Sequence, residues 1–277
     1  MKSVVLPSHK QVPALGQGTW QMAENGAGRQ QAITALQLGV DLGMTLVDTA
    51  EMYGEGAVEE LVGEAIVGRR DQVFLVSKVY PHNASRERMV AACARSLKRL
   101  RTDRVDLYLL HWPGSVPIDE TLETFMRLKD EGKILDYGIS NFDARGLQRV
   151  WSRPGGAGLV TNQVLYNLSE RGIEWDLLPW CRKHSLPLMA YTPLGQGEIL
   201  GNRGLARVAA RHGITPAQAA LAWLLQRDGV IAIPKAGNPS HVRENRKAAD
   251  LELSPEDLRD LDAAFPPPTG PTPLAVL

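Results

Sequence analysis

Three ionisable side chains stand where short apolar segments of the sequence end. Asp48 and Lys78 close two of these segments, His111 directly follows a third, and Tyr53 lies five residues beyond Asp48. If the segments are parallel strands of a barrel, their carboxyl ends converge on one face and bring the four side chains together. A carboxylate, an ammonium, a phenol and an imidazole in one pocket can donate a proton to a carbonyl oxygen. The pattern therefore indicates carbonyl reduction.

The phenol of Tyr53 is the candidate proton donor of this group. A free phenol has a pKa of about 10, which is too high for an efficient acid at neutral pH. We expect the ammonium of Lys78 to lower the pKa of Tyr53 by stabilising phenolate, and the carboxylate of Asp48 to keep that ammonium charged. His111 can donate a hydrogen bond to the substrate oxygen and hold it beside Tyr53.

Each of the four residues also has an ordinary structural interpretation when it is taken alone. Asp48 could cap a helix, and Lys78 could be a surface charge at the edge of the barrel. His111 could be a hydrogen-bonded core histidine, and Tyr53 could pack in a loop. The four types together, each at a place where barrel enzymes carry catalytic groups, favour the catalytic interpretation.

The elements that must position these residues can be predicted from periodicity. Short runs rich in Val, Ile and Leu alternate with longer stretches of helical periodicity, as is typical of βα units. Eight strands are predicted, with ends near Thr19, Asp48, Lys78, Leu110, Ser140, Asn162, Tyr191 and Pro234. The spacing between these ends indicates one repeated unit. We therefore predict a single α/β domain over residues 1–277, a (β/α)8 barrel of the TIM type.

Further elements are predicted outside the repeat. Residues 4–6 and 12–15 are expected to form an N-terminal β-hairpin that covers the bottom of the barrel. Helices at 205–211 and 216–226 share the interval before the last strand, and another helix begins at Ser254. The sequence thus predicts two helices beyond the repeat. The Pro-rich tail after Phe265 is predicted to be a loop.

A doubly wound sheet is the main alternative fold, because it also alternates strands and helices. That fold normally carries a G-x-G-x-x-G phosphate-binding sequence after its first strand. The nearest candidate begins at Gly16 and has Gln21 where the last glycine is expected. The barrel is therefore favoured.

The overall composition argues against several classes of function. The chain has 31 basic and 31 acidic residues, so no net charge would attract nucleic acid or an anionic membrane surface. Cys93 and Cys181 form neither a CxxC pair nor a metal-ligand cluster, which indicates free thiols and no metal site. Neither a signal peptide nor a run of about 18 apolar residues is visible, so we expect a cytoplasmic protein without a membrane span.

Several segments resemble the motifs of the aldo-keto reductase family. They are residues 47–54, 77–78, 110–113, 138–142, 161–163, 191–195 and 233–236. The resemblance, which extends over residues 16–245, implies a barrel enzyme that reduces a small aldehyde or ketone with NADPH, NADH being possible. It also implies that the four residues described above are catalytic, with Tyr53 as general acid. Within the family, residues 48–53, 77–81, 162–167 and 177–181 are most similar to bacterial reductases that act on methylglyoxal.

The resemblance further implies which residues hold the cofactor. Ser140, Asn141 and Gln163 would bind the carboxamide of nicotinamide, and Tyr191 would stack on its ring. Lys235 would meet the pyrophosphate or the adenosine phosphate. The remaining residues at cofactor positions of the family are Thr19, Trp20, Thr192, Pro193, Leu194, Ala236, His241, Glu244 and Asn245. Helix caps, strand-end packing and surface charge are the alternative roles for these residues.

Two further features concern specificity. Many NADPH-dependent relatives have an arginine six residues after the lysine that meets the phosphate, but this chain has His241 there. We therefore expect the preference for NADPH over NADH to depend on His241. Trp20, Tyr80 and Trp112 follow predicted strand ends and are the expected aromatic wall for the carbonyl substrate. Ordinary packing at the edge of the barrel is the alternative.

Two other functions fit parts of the pattern. A sensor or regulatory subunit that binds NAD(P)H with little turnover would need the cofactor residues but not the catalytic group. A metal-dependent barrel hydrolase would need a cluster of ligands, and His111 has no second histidine two or three residues away. The complete catalytic group favours the reductase over both.

Overall fold

The apolar segments form eight parallel strands, preceded by a small hairpin. The computed structural model describes residues 1–22 and 28–277. The strands are β1 (Ser3–Val5), β2 (Gln11–Pro13), β3 (Gln17–Gly18), β4 (Leu46–Asp48), β5 (Phe74–Val79), β6 (Val105–Leu110), β7 (Ile134–Ser140), β8 (Leu159–Leu165), β9 (Leu188–Tyr191) and β10 (Val230–Ala232). Strands β3 to β10 lie side by side in chain order, and each pairs in parallel with its neighbour.

The first and last strands of this sheet meet and close it into a barrel. The backbone nitrogen of Gly16 donates to the carbonyl oxygen of Ala232 at 2.8 Å, and that of Gly18 donates to Pro234 at 3.0 Å. A Cβ atom at Gly18 would lie 2.6 Å from the carbonyl oxygen of Ile233, so only glycine allows this approach. The (β/α)8 barrel predicted from the sequence is confirmed.

Apolar side chains fill the inside of the barrel. The interior cluster consists of Leu46, Val76, Leu107, Leu109, Val160, Met189, Ile231 and Ile233, joined by Leu6 and Val12. The last two belong to the antiparallel hairpin β1–β2 and its turn, which packs across the amino ends of the strands. The predicted N-terminal hairpin is therefore confirmed, and it closes the end of the barrel opposite the predicted catalytic group.

Ten α-helices surround the strands in the part of the chain that the structure describes. They are α1 (Arg29–Asp41), α2 (Ala57–Ala65), α3 (Arg86–Arg99), α4 (Ile118–Asp130), α5 (Ala144–Trp151), α6 (Leu177–Lys183), α7 (Arg203–Arg211), α8 (Pro216–Leu225), α9 (Pro239–Ala248) and α10 (Pro255–Ala264). A barrel of eight strands has one helix for each strand, and α7 and α10 are additional to these eight. The two predicted extra helices are therefore confirmed. They pack closely, since a Cβ atom at Gly204 would lie 2.4 Å from that of Ala264.

Helix α9 was not predicted, although it follows the last strand as the repeat requires. Its residues are mostly polar, and only Val242, Asn245 and Ala248 are buried. A helix with so few apolar positions gives little of the periodicity on which the prediction relied. Its start is set by Asn238, whose side chain accepts a hydrogen bond from the backbone nitrogen of Ser240.

The predicted strand ends mostly agree with the structure to within one residue. Two differ more. Strand β8 continues to Leu165, three residues beyond the predicted end at Asn162, because Asn162 is buried and does not mark a boundary. Strand β10 ends two residues before Pro234, which lacks the N–H needed to continue a ladder.

The helices are short compared with the thickness of a bilayer. Within residues 1–22 and 28–277, none is both long enough and apolar enough to cross a membrane.

Candidate active site

Lys78 lies at the centre of the predicted catalytic group. Its Nζ donates hydrogen bonds to Asp48 Oδ2 at 2.7 Å, to Tyr53 OH at 3.0 Å and to the backbone oxygen of Thr49 at 2.9 Å. Lys78 is in β5 and Asp48 ends the neighbouring β4, while Tyr53 begins the short 3₁₀ turn that follows β4. All three N–H donors of the ammonium are therefore used by groups that the barrel brings together.

Asp48 is fixed by contacts with residues in or next to three other strands, β3, β5 and β8. Besides Lys78, Gln163 Nε2 donates to Asp48 Oδ1 at 2.8 Å, and the Thr19 hydroxyl donates to the Asp48 backbone oxygen at 2.9 Å. Burial lowers the pKa of Lys78, but the neighbouring carboxylate and phenol raise it by more. Lys78 is therefore charged at neutral pH, although its side chain is fully buried. The Thr19 hydroxyl thus helps to fix the backbone of Asp48.

Tyr53 is almost fully buried, with 8% of its surface exposed. Burial raises the pKa of Tyr53, and the opposing effect of Lys78 is smaller, so this pKa lies above its ordinary value. The expectation that Lys78 would bring it below that value was therefore wrong in its net direction, because it took no account of desolvation. The phenol is protonated at neutral pH, as a proton donor must be.

His111 follows β6 and faces Tyr53, with the two ring centroids 5.9 Å apart in an edge-to-face arrangement. Burial, reinforced by the charge of Lys78, lowers the pKa of His111 to about 2, so the imidazole is neutral. Its Nδ1 is buried without a hydrogen-bond partner among the described residues. Because an N–H buried without an acceptor is costly, we assign the ring proton to Nε2. That nitrogen can donate to a ligand in the cleft.

Four residues predicted to hold nicotinamide form a polar cluster beside His111. The Ser140 hydroxyl donates to the backbone oxygen of Gln163 at 2.8 Å, and the Tyr191 hydroxyl donates to Asn141 Oδ1 at 2.8 Å. Asn141 Nδ2 donates to the backbone oxygen of His111 at 3.1 Å. Ser140 and Tyr191 end β7 and β9, and Gln163 lies in β8 between them. The structure thus brings these four residues together.

Two residues in this region have a left-handed backbone. The φ angle is 63° at Asn141 and 49° at Thr192. Asparagine tolerates this conformation, but for the β-branched Thr192 it costs roughly 1–2 kcal/mol, and such strain concentrates at functional sites. Pro193 and Leu194 continue the turn after β9, the first buried and the second half-buried.

Aromatic side chains line the cleft next to His111. The rings of Tyr80 and Trp112 meet edge to face, with centroids 5.9 Å apart, and the Trp112 ring lies 4.8 Å from that of His111. Trp20 is half-buried and packs against the hydrophobic core. All three predicted substrate residues keep part of their surface exposed, as the lining of a binding cleft must.

The residues predicted for the adenosine half of the cofactor lie at the barrel closure and on α9. Lys235 is exposed, its backbone bridges to the end of β3, and Ala236 is buried. On α9, His241 is exposed in the first turn, Glu244 is half-buried and Asn245 is buried. No hydrogen bond links these side chains to the catalytic group in the part of the chain that is described.

Glu51 is a residue of the cleft to which sequence reasoning gave no role. Its Oε1 accepts hydrogen bonds from the backbone nitrogen of Tyr80 at 2.8 Å and from Asn83 Nδ2 at 3.0 Å. The Tyr80 hydroxyl in turn donates to Glu55 Oε1 at 3.2 Å. Two carboxylates thus hold both ends of an aromatic wall residue. The sequence did contain a signal, because Glu51 is an acidic residue that stands between the apolar residues Ala50 and Met52.

Asn167 was also missed. Its Nδ2 donates to the backbone oxygen of Thr192 at 3.0 Å, and its Oδ1 accepts from the backbone nitrogens of Ser169 and Glu170 at 2.9 and 3.0 Å. Asn167 is 1% exposed. It therefore ties the loop after β8 to the strained turn after β9, which carries predicted cofactor residues.

The cleft has the donors, acceptors and surface that a nicotinamide cofactor requires. The hydroxyl and amide groups of Ser140, Asn141 and Gln163 are of the types that pair with a carboxamide. The half-buried ring of Tyr191 offers a flat apolar surface at the same place. These four residues therefore fit the nicotinamide group of the cofactor.

The part of the chain that the structure describes, residues 1–22 and 28–277, has no site for a metal ion of the usual kind. Within them, no group of three or more His, Cys, Asp or Glu side chains is placed to hold a metal ion.

Comparison with known proteins places the chain in a family. Residues 14–265 match the model of the Aldo/keto reductase family. The chain is 48% identical to methylglyoxal reductase YeaE of Escherichia coli (strain K12) over 268 residues, which cover 95% of this chain and 94% of that protein. It is 34% identical to glyoxal reductase of Bacillus subtilis (strain 168), with 94% and 92% of the two chains covered.

A solved structure agrees with these sequence relationships. The crystal structure of an aldo/keto reductase from Klebsiella pneumoniae in complex with NADP and acetate is 49% identical, with a TM-score of 0.97. The match covers 100% of this chain and 99% of that one. These findings confirm the family resemblance and favour an enzyme over a sensor. The chain therefore belongs to the aldo/keto reductase family of oxidoreductases.

Proposed function

We propose that this chain reduces small 2-oxoaldehydes, methylglyoxal among them, with Tyr53 as the proton donor. NADPH-dependent reduction of carbonyl groups is the activity of its family. Relatives named methylglyoxal reductase and glyoxal reductase support the choice of substrate. The observation that carries the proposal is the buried arrangement in which Lys78 Nζ contacts both Asp48 and Tyr53.

The direction of the hydrogen bonds makes Tyr53 a donor. Lys78 donates to the phenolic oxygen, so the phenol's own proton is directed elsewhere and can be given to a carbonyl oxygen. The reduction forms a C–H bond at the carbonyl carbon, and the electron pair of the C=O π bond moves to oxygen. That oxygen takes the proton of Tyr53, and the phenolate left behind is stabilised by Lys78 until solvent returns a proton.

The other residues orient the substrate and the cofactor. His111, neutral and protonated on Nε2, donates a hydrogen bond to the carbonyl oxygen and holds it near Tyr53. When bound, NADPH supplies the hydride. Ser140, Asn141 and Gln163 would hold its carboxamide, and Tyr191 would support its ring.

The walls of the cleft suit a small uncharged substrate. Trp20, Tyr80 and Trp112 present aromatic surface, and Tyr80 is held rigidly through Glu51 and Glu55. A 2-oxoaldehyde is small and uncharged, and its reacting carbonyl oxygen can accept hydrogen bonds from both the phenol and the imidazole.

We also infer a cytoplasmic location and no nucleic-acid partner. Cys93 and Cys181 are buried and unpaired, and burial raises the pKa of each thiol to about 12. Such thiols suit a reducing compartment that supplies NADPH. The balance of 31 basic and 31 acidic residues supports the absence of a nucleic-acid partner.

Cofactor oxidation across a panel of carbonyl compounds tests the proposal. The near-ultraviolet absorbance of NADPH is followed with methylglyoxal, glyoxal, simple aldehydes, ketones and sugars. We expect kcat/KM for 2-oxoaldehydes to exceed that for sugars and simple ketones by at least about tenfold. Tight NADPH binding without turnover of any of these compounds at high enzyme concentration would contradict the proposal and favour a sensor.

A further inference from the structure

A cavity lies against α5, next to the β7–α5 connection. Its volume is about 900 Å³. It is bounded by α5, by the residues after β6 and by the C-terminal tail. Asn141 contributes to its lining, although both ends of the Asn141 amide are turned to His111 and Tyr191. The cavity is therefore a neighbour of the nicotinamide cluster and separate from the tetrad Asp48, Tyr53, Lys78 and His111.

The walls of this cavity are mainly apolar. Ile118 at the start of α4, Phe142 after β7 and Val150 on α5 form one side, and Leu274 and Val276 of the tail form the other. Phe142 and Val150 are buried, while Val276 is 59% exposed. An apolar surface that faces a cavity of this size can accept an apolar ligand.

Basic side chains stand at the opening of the same cavity. Arg145 and Arg149 lie four residues apart on α5, so they project from one face of the helix. Both are exposed, and neither has an acidic partner within the described ranges. Arg153 also lines the cavity, but two of its nitrogens are bound by Asp119.

The single acidic side chain among the lining residues is already used. Asp143 caps α5 by accepting a hydrogen bond from the backbone nitrogen of Gly146 at 2.6 Å. Asp143 keeps its negative charge, and Arg153 is paired with Asp119, so Arg145 and Arg149 leave the described lining with one positive charge in excess beside the apolar walls. The guanidinium group matches a carboxylate geometrically through two parallel N–H donors.

We infer that this cavity is a binding site for amphipathic monocarboxylates, separate from the catalytic cleft. The apolar part of the ligand packs between α5 and the C-terminal tail, and its carboxylate pairs with Arg145 and Arg149. An uncharged ligand of the same shape lacks the ion pairs, and a short carboxylate lacks the apolar contact. Both features are therefore needed for binding.

Calorimetric titration of the NADPH-saturated protein with octanoate tests this site. We expect octanoate to bind more tightly than hexanoate or butyrate, by up to about fourfold per buried methylene. We expect 1-octanol to bind more weakly than octanoate. Each exposed ion pair contributes at most about fivefold, so the double variant Arg145→Gln, Arg149→Gln should weaken octanoate binding about tenfold.

Controls separate this site from the catalytic cleft and from general surface charge. Arg207→Gln removes an exposed arginine from α7 and should leave octanoate binding unchanged. Tyr53→Phe should also leave it unchanged. The inference is overturned if octanoate does not bind, if the double variant binds it as tightly as the wild type, or if Tyr53→Phe abolishes binding. Octanoate that competes directly with the carbonyl substrate in steady-state kinetics would likewise place it in the catalytic cleft.

Discussion

The ammonium of Lys78 donates a hydrogen bond to the phenolic oxygen of Tyr53 across 3.0 Å, inside a pocket where Lys78 has no exposed surface. This relationship orients the phenol as well as stabilising its conjugate base. An oxygen that accepts from the ammonium must direct its own O–H elsewhere.

Tyr53→Phe should remove the proton donor and leave the pocket otherwise intact. Proton donation by a positioned acid contributes about a hundredfold to ten-thousandfold, so we expect kcat for methylglyoxal to fall by at least a hundredfold. The dissociation constant of NADPH, measured by fluorescence titration, should change by less than about threefold. A variant that keeps more than a few tenths of wild-type activity would show that another group donates the proton.

Lys78→Met should lower the rate at every pH and raise the pKa of Tyr53 further, because burial then acts without opposition from the ammonium. In the wild type the pKa of Tyr53 is already raised, so reduction should not decline between about pH 7 and pH 9.5 through ionisation of this phenol. We would measure kcat/KM over that range. A decline with a midpoint below pH 9 that moves upward in Lys78→Met would show that Lys78 dominates over burial.

Loss of Lys78 also leaves Asp48 buried and unpaired, which costs about 3–5 kcal/mol. A second variant therefore separates stability from catalysis. Asp48→Asn combined with Lys78→Met removes both charges and should recover most of the free energy of unfolding in denaturant titrations. It should not recover the rate. Recovery of both would assign the pair a purely structural role.

Much of the site could be predicted because each residue belongs to a short local pattern. The apolar segments before Asp48, Lys78 and His111 identify strands, and the barrel then places their carboxyl ends on one face. The long-range contacts were beyond such reasoning. Gln163 reaches Asp48 from a strand 115 residues away in the chain, and no local pattern specifies that contact.

Neither the direction of the pKa shift of Tyr53 nor the role of Asn167 could be predicted, and the physical reasons are related. The pKa depends on how completely the surrounding chain excludes water, which a list of neighbouring charges does not give. Asn167 lies in a loop, and its partner Thr192 belongs to another loop. Helix α9 was missed because few of its residues are apolar.

His111 should stay neutral throughout the range in which the protein is studied. Burial, together with Lys78, lowers the pKa of His111 to about 2, so its protonation does not change between about pH 5 and pH 8. We expect the pH profile of kcat to show no inflection near 6.5 from this residue. His111→Gln keeps a neutral donor and should retain more activity than His111→Ala. An inflection near 6.5 that disappears in His111→Gln would contradict a neutral imidazole.

Asn167→Ala should loosen the turn that carries Thr192. The change removes the donor to the Thr192 backbone oxygen and the acceptor for two backbone nitrogens. Each buried group left without a partner costs about 1–3 kcal/mol, so the free energy of unfolding should fall by at least about 1 kcal/mol. NADPH should bind several-fold more weakly, because the turn after β9 is no longer fixed. Asn83→Ala, which removes a contact on the substrate side, is the matched control and should leave NADPH affinity unchanged.

His241 should strengthen the preference for NADPH over NADH. It is exposed in the first turn of α9, on the segment after Lys235, where the family carries residues for the adenosine phosphate. Its imidazole can donate a hydrogen bond to the 2′-phosphate of NADPH, which NADH lacks. The dissociation constant of NADH should therefore exceed that of NADPH.

His241→Arg tests this assignment, because guanidinium can meet a phosphate with two parallel donors. The variant should bind NADPH more tightly than the wild type does and should leave the affinity for NADH unchanged. Fluorescence titration of both cofactors, in the wild type and the variant, measures all four constants. A ratio of NADH to NADPH dissociation constants that is near one, or that is equal in the two proteins, would show that His241 does not face the phosphate.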